Sequence, residues 1–377
     1  MTFKGRKSSN KSPPFFSHEF VIQNHADIVS CAALVFVIGL MVQATSPYAY
    51  IFIALHHNVS TEQTGQEFLV RYTYGLKDVC ATFFYFLICI VVHAIIQEYI
   101  LDKISKRLHL SKGKQTQFNE SGQLLCFYVM SVAWGVHIIL KENYLLNLSS
   151  LWEGYPHREM TFMFKFFYII QICYWLHTYP ELYFQKVKKE DIFDKVSYAT
   201  VAIFFIASFY LFNFTRVGVC LLVVHYLAEV FNHISALISF VDKEEKGKAV
   251  STLVTQAVFV LARLTSVILA FLIFWFGLAN SNEPSKVEGD FNTPTVRIGA
   301  LTGVVLLQVY LMFNFITDLL RQIRETSVTT VKKLPIKKPT IKKKELKKVN
   351  NKEYDELPEV DQNTKKNLKQ RNQKVKY

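Results

Sequence analysis

Charged residues are scarce in this chain. Only 19% of its 377 residues are Asp, Glu, Lys or Arg, against about 25% in a typical soluble domain. Together with a hydrophobic content of 51%, this low charge favours a membrane protein over an ordinary soluble globular protein. The net charge of +13 is also unevenly spread. The segment from Arg321 to Tyr377 holds 18 Lys or Arg and 7 Asp or Glu, which leaves only +2 for the preceding residues. The chain therefore consists of an apolar body and a basic tail.

Paired cysteine motifs are missing as well. None of the six cysteines forms a CxxC motif, and each lies in or at the edge of an apolar run. This usage argues against a disulfide scaffold or a zinc site and predicts thiols packed within spans. The first apolar run begins near Ile28 and has no small-residue cleavage site. We therefore expect that run to be retained as a membrane span.

Long apolar runs are what the chain has in place of charge. A spanning helix needs about 20 mainly apolar residues. The sequence predicts an all-α, polytopic membrane bundle of about eight transmembrane helices with a disordered basic C-terminal tail. The predicted spans are Ala26–Thr45, Val79–Ile100, Gly122–Leu140, Thr161–Leu182, Val196–Asn213, Val217–Phe240, Val250–Leu278 and Val296–Leu320. Lys and Arg concentrate in alternate loops, which predicts that both termini are cytosolic.

Polar residues follow one face of the sixth span. His225, Glu229 and His233 are spaced by four, and Asn232 lies seven residues beyond His225. Ionisable groups inside a span indicate a functional site by default. The alternatives are a buried polar face satisfied by neighbouring helices, a contact for a lipid headgroup or a passing polypeptide, and a metal or proton-transfer site. No third metal ligand is evident, so we predict no metal and no cofactor.

A single charge lies midway along the seventh span. Arg263 is at a depth similar to that of Glu229, and consecutive antiparallel spans are usually neighbours. We therefore predict an ion pair between the two. Together with His225, Asn232 and His233 they form what we call the polar seam. Lys165 and His93 lie nearer the ends of their spans, where the position allows snorkelling to the interface and a structural role is expected.

Several stretches resemble a known family. Lys188–Ile192, Asn213–Gly218 and Leu221–His225 resemble the TLC domain, which translocating chain-associating membrane proteins and ceramide synthases share. Pro180–Lys186 is similar to the translocating-chain branch, and this closer resemblance, which covers about Lys11–Arg324, points to a paralogue of the founding member. It predicts a cytosolic N-terminal arm (1–25), two transmembrane helices with a lumenal loop (26–113), a TLC-type transmembrane bundle (114–325) and the disordered cytosolic tail (326–377).

The chain departs from the acyltransferase pattern of that family. Where ceramide synthases carry a His-His pair, this sequence has Ser197 and Tyr198, and their later His-Asp pair is His225-Tyr226 here. A tyrosine or serine does not act as an imidazole base near neutral pH. The resemblance therefore implies a TLC scaffold without catalytic residues.

The resemblance implies an accessory protein of the translocation channel in the endoplasmic reticulum membrane. Its partners would be the Sec channel, nascent polypeptides with their signal sequences, and membrane lipid. The basic tail would contact anionic lipid or ribosomal RNA, or serve only as a solvated topology anchor; DNA is not an expected partner. The alternative is a lipid-binding or lipid-modifying protein that uses the same fold. A transporter has less support, because no inverted repeat is evident.

The predicted topology makes Asn58 the first site to carry a glycan, because the sequon at Asn58 lies in a lumenal loop. Replacing Asn58 with Gln should remove one glycan's worth of apparent mass in a gel-shift assay with and without glycosidase. The Asn119 sequon is predicted to face the cytosol, so Asn119→Gln is the matched control and should leave the apparent mass on the gel unchanged. A glycan on Asn119 would invert the topology.

Overall fold

The computed structural model describes residues 14, 17–61, 69–242, 246–280 and 289–333, and it is helical throughout apart from one small hairpin. The predicted all-α membrane bundle is confirmed. The helices in these ranges are α1 (His18–Met41), α2 (Ser46–Ile53), α3 (Lys77–Ile95), α4 (Asp102–Arg107), α5 (Lys112–Lys141), α6 (Phe162–Phe184), α7 (Lys189–Leu211), α8 (Thr215–Val241), α9 (Lys246–Ala270), α10 (Leu278–Asn280) and α11 (Pro294–Lys333).

Shorter elements join or interrupt these helices. Two π-helical segments, Ile96–Leu101 and Phe271–Gly277, carry α3 into α4 and α9 into α10, and a 3₁₀ turn covers Leu148–Leu151. The hairpin pairs β1 (Asn58–Thr61) antiparallel with β2 (Leu69–Tyr72). It lies outside the predicted all-helical pattern because it falls in a loop between spans.

Seven helices in the described residues are long and apolar enough to cross a membrane, whereas the sequence predicted about eight. The missing one is α6, which has 23 residues and sufficient length. Its hydropathy is reduced by tyrosines, Gln171, His177 and Pro180, all of which belong to a helix surrounded by protein. Ten of its residues are buried, and it packs against α1, α3, α5 and α7. A helix enclosed by other helices does not need a lipid-compatible surface.

The helices extend beyond the predicted spans, chiefly at the end of the bundle where α1 begins. We call this the arm end, and the opposite one the hairpin end. At the arm end, α5 begins ten residues before the predicted Gly122, and α7 begins at Lys189. Helix α1 begins at His18, where Ser17 Oγ accepts a hydrogen bond from Phe20 N (3.2 Å), so part of the predicted arm is helical. Hydropathy marks the membrane-crossing part of a helix and not its polar extension.

The predicted tail is described only in part. Contacts divide the chain into Met1–Leu319 and Leu320–Tyr377. The second unit continues α11 to Lys333, eight residues past the predicted start of the tail, and contains a pair between Arg321 Nε and Glu325 Oε1 at 3.2 Å. The tail beyond Lys333 lies outside the described residues, as does most of the predicted N-terminal arm.

The core of the first unit lies between α5, α6, α7 and α8 and is rich in aromatic side chains. Tyr128, Phe167, Tyr168 and Tyr226 are almost fully buried there. Helices α5 and α8 approach closely because Gly135 has no Cβ; one added there would collide with Val223. This packing brings the polar face of α8 against α5 and α7.

A buried ion pair holds the hairpin end together. Lys165 is completely buried, and its Nζ lies 2.6 Å from Asp78 Oδ1. The same ammonium donates to His56 O (2.8 Å) and Thr73 O (2.7 Å), so all three of its hydrogens are used. Asp78 Oδ2 accepts from Tyr210 Oη (2.8 Å). Lys165 therefore has a structural role and does not snorkel, because Asp78, on the neighbouring helix, supplies a buried counter-charge.

Loops close over the same end of the bundle. Tyr155 Oη donates to Phe212 O (2.7 Å), and Asn213 Nδ2, in the turn between α7 and α8, donates to Gly289 O (2.8 Å).

His157 lies in one of these loops. Burial, followed by the nearby Arg216 charge, lowers the pKa of His157 to about 4. The stability that neutral His157 contributes is therefore present above about pH 6.5 and lost as the pH falls toward 4.

Replacing Lys165 with Met should destabilise the protein by about 3–5 kcal/mol, because the Asp78 carboxylate would stay buried without its partner. Thermal unfolding of the full chain in detergent measures the effect. Lys141, at the end of α5, is exposed, so Lys141→Met is the matched control and should melt like the unmodified chain. Adding Asp78→Asn to Lys165→Met should restore part of the loss. An unchanged melting temperature for Lys165→Met would show that the pair is not structural.

Candidate functional site

The four α8 residues of the polar seam lie along two neighbouring cavities. His225 lines one of about 670 Å³, between α7, α8 and α11. Glu229, Asn232 and His233 line another of about 360 Å³, which is nearer the arm end. The predicted common face is therefore shared between two spaces. Arg263, from α9, is buried behind His225.

A hydrogen-bond chain runs from α11 to α5 through His225. Arg263 donates from Nη1 to Gln308 Oε1 (3.0 Å) and from Nη2 to His225 Nδ1 (2.9 Å). A guanidinium can only donate, so Nδ1 accepts and the ring carries its proton on Nε2. Nε2–H then donates to Tyr198 Oη at 3.0 Å, and Tyr198 Oη lies 3.3 Å from Tyr128 Oη. Hydrogen bonds to neighbouring residues hold each side chain of this network in place.

The predicted ion pair between Glu229 and Arg263 does not form. The guanidinium contacts His225 and Gln308 instead, and Phe259 lies beneath it at 4.9 Å. Glu229 Oε2 accepts from Asn232 Nδ2 at 3.3 Å, one turn along α8. His225 projects from the turn of α8 that faces Arg263, whereas Glu229 turns toward the smaller cavity.

Tyr198 separates the two cavities. It lines both, together with Trp175 and Asp194. On the larger side the walls are mainly apolar side chains of α7 and α11, including Phe205 and Leu307. On the smaller side, His233 stacks on Tyr128 with 5.6 Å between ring centroids. The site therefore consists of an apolar cavity and a more polar cavity, with Tyr198 in the wall between them.

Sequence reasoning missed a second polar cluster, which borders the smaller cavity. His93 Nε2 lies 3.2 Å from Glu181 Oε1, and His93 Nδ1 lies 3.2 Å from His177 Nε2. His177 Nδ1 also contacts Tyr174 O, and Gln185 donates to Glu181 Oε1 (2.9 Å). His93 does not snorkel but is held inside the bundle, because these α6 side chains contact it. The available signal was that His177, Glu181 and Gln185 are spaced by four on one helix.

Metal binding gains no support from this geometry. The described residues contain no group of three His, Cys, Asp or Glu side chains placed to hold an ion. Both nitrogens of His225 already have protein partners. The seam is suited to hydrogen bonding and to contact with polar groups.

Comparison with known proteins identifies the family. A family model described as the TLC domain matches residues 117–317, more than half of the chain. Translocating chain-associated membrane protein 2 of Mus musculus is 45% identical over 329 residues, which cover 86% of each chain. The chain belongs to the translocating chain-associated branch of the TLC-domain family. The Homo sapiens protein of the same name is 46% identical over the same length. Sphingosine N-acyltransferase-like protein FUM17 of Gibberella moniliformis is 23% identical over 222 residues, or 57% of each chain.

The structure brings together the positions at which this TLC-domain chain departs from the ceramide synthase pattern. Ser197, Tyr198, His225 and Tyr226 all line the larger cavity, although they come from α7 and α8. Tyr198 is in direct hydrogen-bond contact with His225. Tyr226 Oη accepts from Trp175 Nε1 at 3.2 Å. Two phenol groups thus occupy the places at which the resemblance implies a histidine and an aspartate.

A double-mutant cycle tests the assignment of Arg263 to Gln308. Arg263→Met and Gln308→Leu should each lower stability, and their coupling should be about 1–3 kcal/mol because a charged hydrogen bond joins them. Thermal or denaturant unfolding in detergent supplies the four values. The comparison cycle pairs Arg263→Met with Glu229→Gln and should show a smaller coupling. A larger coupling to Glu229 would establish the direct ion pair instead.

Proposed function

We propose that this chain is a non-enzymatic accessory of the translocation channel in the endoplasmic reticulum membrane. It contacts signal sequences and transmembrane segments of nascent secretory and membrane proteins. The 45–46% identity to proteins named translocating chain-associated supports this role. The alternate basic loops support a multi-pass arrangement with both termini cytosolic.

The observation that carries the non-enzymatic part is the state of His225. A general base or nucleophile needs an unoccupied nitrogen lone pair. Here Nδ1 accepts from Arg263, and Nε2 carries the proton donated to Tyr198. The imidazole therefore has no nitrogen available for acyl transfer. Tyr198 and Tyr226 offer no second imidazole or carboxylate beside it.

The two cavities support a role in contact. Phe193 and Tyr310 line the larger cavity and are also exposed on the surface of the bundle. A segment entering from the lipid between α7 and α11 meets apolar walls first and Tyr198 and His225 beyond them. Polar groups in a hydrocarbon layer are costly unless they find partners. The seam would supply those partners to moderately polar segments on their way into the bilayer.

The remaining partners follow from the same proposal. The Sec channel would lie beside the bundle, and membrane lipid would cover the exposed apolar faces of α9 and α11. Contact of the basic tail with the ribosome or with anionic lipid concerns residues beyond Lys333, outside the described part of the chain. The lipid-modifying alternative gains nothing from the geometry of His225.

Insertion of test segments measures this function. Replacing Glu229 and Asn232 with Leu together should reduce the insertion of marginally hydrophobic segments about two- to threefold, because the polar partners are lost. Strongly hydrophobic segments should insert as before. Reconstituted microsomes with glycosylation-tagged segments provide the readout. Leu227, on the outer face of α8, is exposed, so Leu227→Ala is the control. Equal loss for both kinds of segment would contradict the mechanism.

Two further arms separate contact from chemistry. A photocrosslinker at Leu307 should capture nascent chains, and one at Leu264, exposed on α9 and outside both cavities, should not. The purified chain should transfer no acyl group from acyl-CoA to a sphingoid base. Measurable transfer that is lost in His225→Phe would overturn the non-enzymatic assignment.

A further inference from the structure

A third cavity, of about 590 Å³, lies at the arm end between α1, α3, α5 and α6. It is distinct from the two spaces along the seam, although His93, Glu120, Glu181 and Gln185 border both it and the smaller of them. Its lining is mostly amide and carboxylate, with alanines where α1 and α3 face it. Residues that line it from α5 are Lys112, Gln115, Thr116, Asn119 and Glu120.

Asn119, one of the residues that line this cavity, has an unused acceptor. Asp102 Oδ1 accepts from Asn119 Nδ2 at 3.0 Å and from Gln97 Nε2 at 2.8 Å. Because a carboxylate oxygen can only accept, the amide nitrogen of Asn119 must face Asp102. Asn119 Oδ1 is thereby turned away, and it is buried without a hydrogen-bond partner in the described part of the chain.

Glu181 presents a second unused acceptor. Its side chain belongs to α6, and the residue is only 8% exposed. Oε1 is occupied by His93 and Gln185, whereas Oε2 is buried and finds no partner among the described residues. A buried oxygen left without a donor costs about 1–3 kcal/mol, and more if it is charged. Because both residues line this cavity, a ligand that brings hydrogen-bond donors would satisfy the two oxygens after a small side-chain movement.

The charges around the cavity further restrict the chemical class of the ligand. Lys112 lies about 10 Å from Asn119 along α5, on the same face and nearer the arm end. It also begins the helix, and Ser111 provides no side-chain cap for the free N–H groups of that first turn. The cavity thus offers buried acceptors on Asn119 and Glu181 and an exposed cation on Lys112. The side chains of His25, Glu98 and Glu120 complete its ionisable lining. A zwitterion with an inward ammonium and an outward phosphate matches the acceptors and the cation.

We propose that this cavity binds the headgroup of a phospholipid that carries a primary amine. The ammonium would donate to Glu181 Oε2 and Asn119 Oδ1, and the phosphate would lie toward Lys112. A choline headgroup is excluded by the same reasoning, because a quaternary ammonium has no N–H to give. This inference goes beyond the proposed function and does not depend on it.

Methylation of the headgroup amine provides the test. The full chain, stripped of lipid in detergent, is titrated with phosphatidylethanolamine, its N-methyl and N,N-dimethyl derivatives and phosphatidylcholine of identical acyl chains, and binding is followed by native mass spectrometry. Affinity should fall stepwise with each methyl group, to about one tenth or less for phosphatidylcholine. Equal binding of all four lipids would overturn the proposal and leave water as the occupant.

Matched variants locate the binding. Asn119→Leu and Glu181→Gln should each lower phosphatidylethanolamine affinity about tenfold and leave phosphatidylcholine binding unchanged. Asn232→Leu and Glu229→Gln make the same substitutions at the smaller cavity and should not alter the preference. If Asn119→Leu or Glu181→Gln melts normally and still prefers phosphatidylethanolamine to the same extent, the proposed location is wrong. The methylation series needs no variant and stands if one fails to fold.

A soluble headgroup separates a lipid from a free metabolite. Glycerophosphoethanolamine has the same amine and phosphate without acyl chains. It should displace the lipid only at concentrations at least tenfold higher than the lipid itself requires. Equal affinity would show that the cavity recognises a soluble phosphoethanolamine and would overturn the lipid assignment.

Discussion

An ammonium group with no access to water must find three acceptors, and much of the hairpin end is arranged around that requirement. Lys165 meets it with Asp78 Oδ1 and the carbonyls of His56 and Thr73. Asp78 in turn accepts from Tyr210, so one ion pair joins α3, α6, α7 and the chain on both sides of the hairpin. A β-bridge between Tyr72 and Met160 holds the same segment beside the start of α6. Together these contacts fix the hairpin end of α6, the helix that also carries His177 and Glu181.

Hydropathy predicted the helices well because the membrane imposes one requirement on every lipid-facing span. Helix α6 was predicted as the span Thr161–Leu182, but it is less apolar than the other spans because it is enclosed by protein and can carry Lys165, Gln171 and His177. The ends of helices were less predictable. Polar residues form helices as readily as apolar ones outside the bilayer, so α5 and α7 begin well before their apolar runs.

Spacing along α8 predicted one common polar face, because the periodicity of a single helix determines which side chains share a face. The structure divides that face between two cavities. Spacing could not say which partner each would meet. Arg263 finds Gln308, a residue 45 positions away on α11, and that encounter depends on how three helices pack. The His93 cluster was missed because the four-residue spacing of His177, Glu181 and Gln185 on α6 does not show that His93, on α3, completes the group. The resemblance succeeded where spacing did not, since it paired positions 197–198 with 225–226 before their proximity was visible.

Asn213 occupies the turn between α7 and α8 with a left-handed backbone, at a φ of 59°, and is completely buried. The nitrogen to which an oligosaccharide would be attached is the one that donates to Gly289 O. The acceptor motif Asn213–Thr215 is therefore open to the modifying enzyme only before α7, α8 and the 289–293 segment have come together. A glycan on Asn213 would therefore identify a molecule in which these elements had not yet packed together when the modifying enzyme acted.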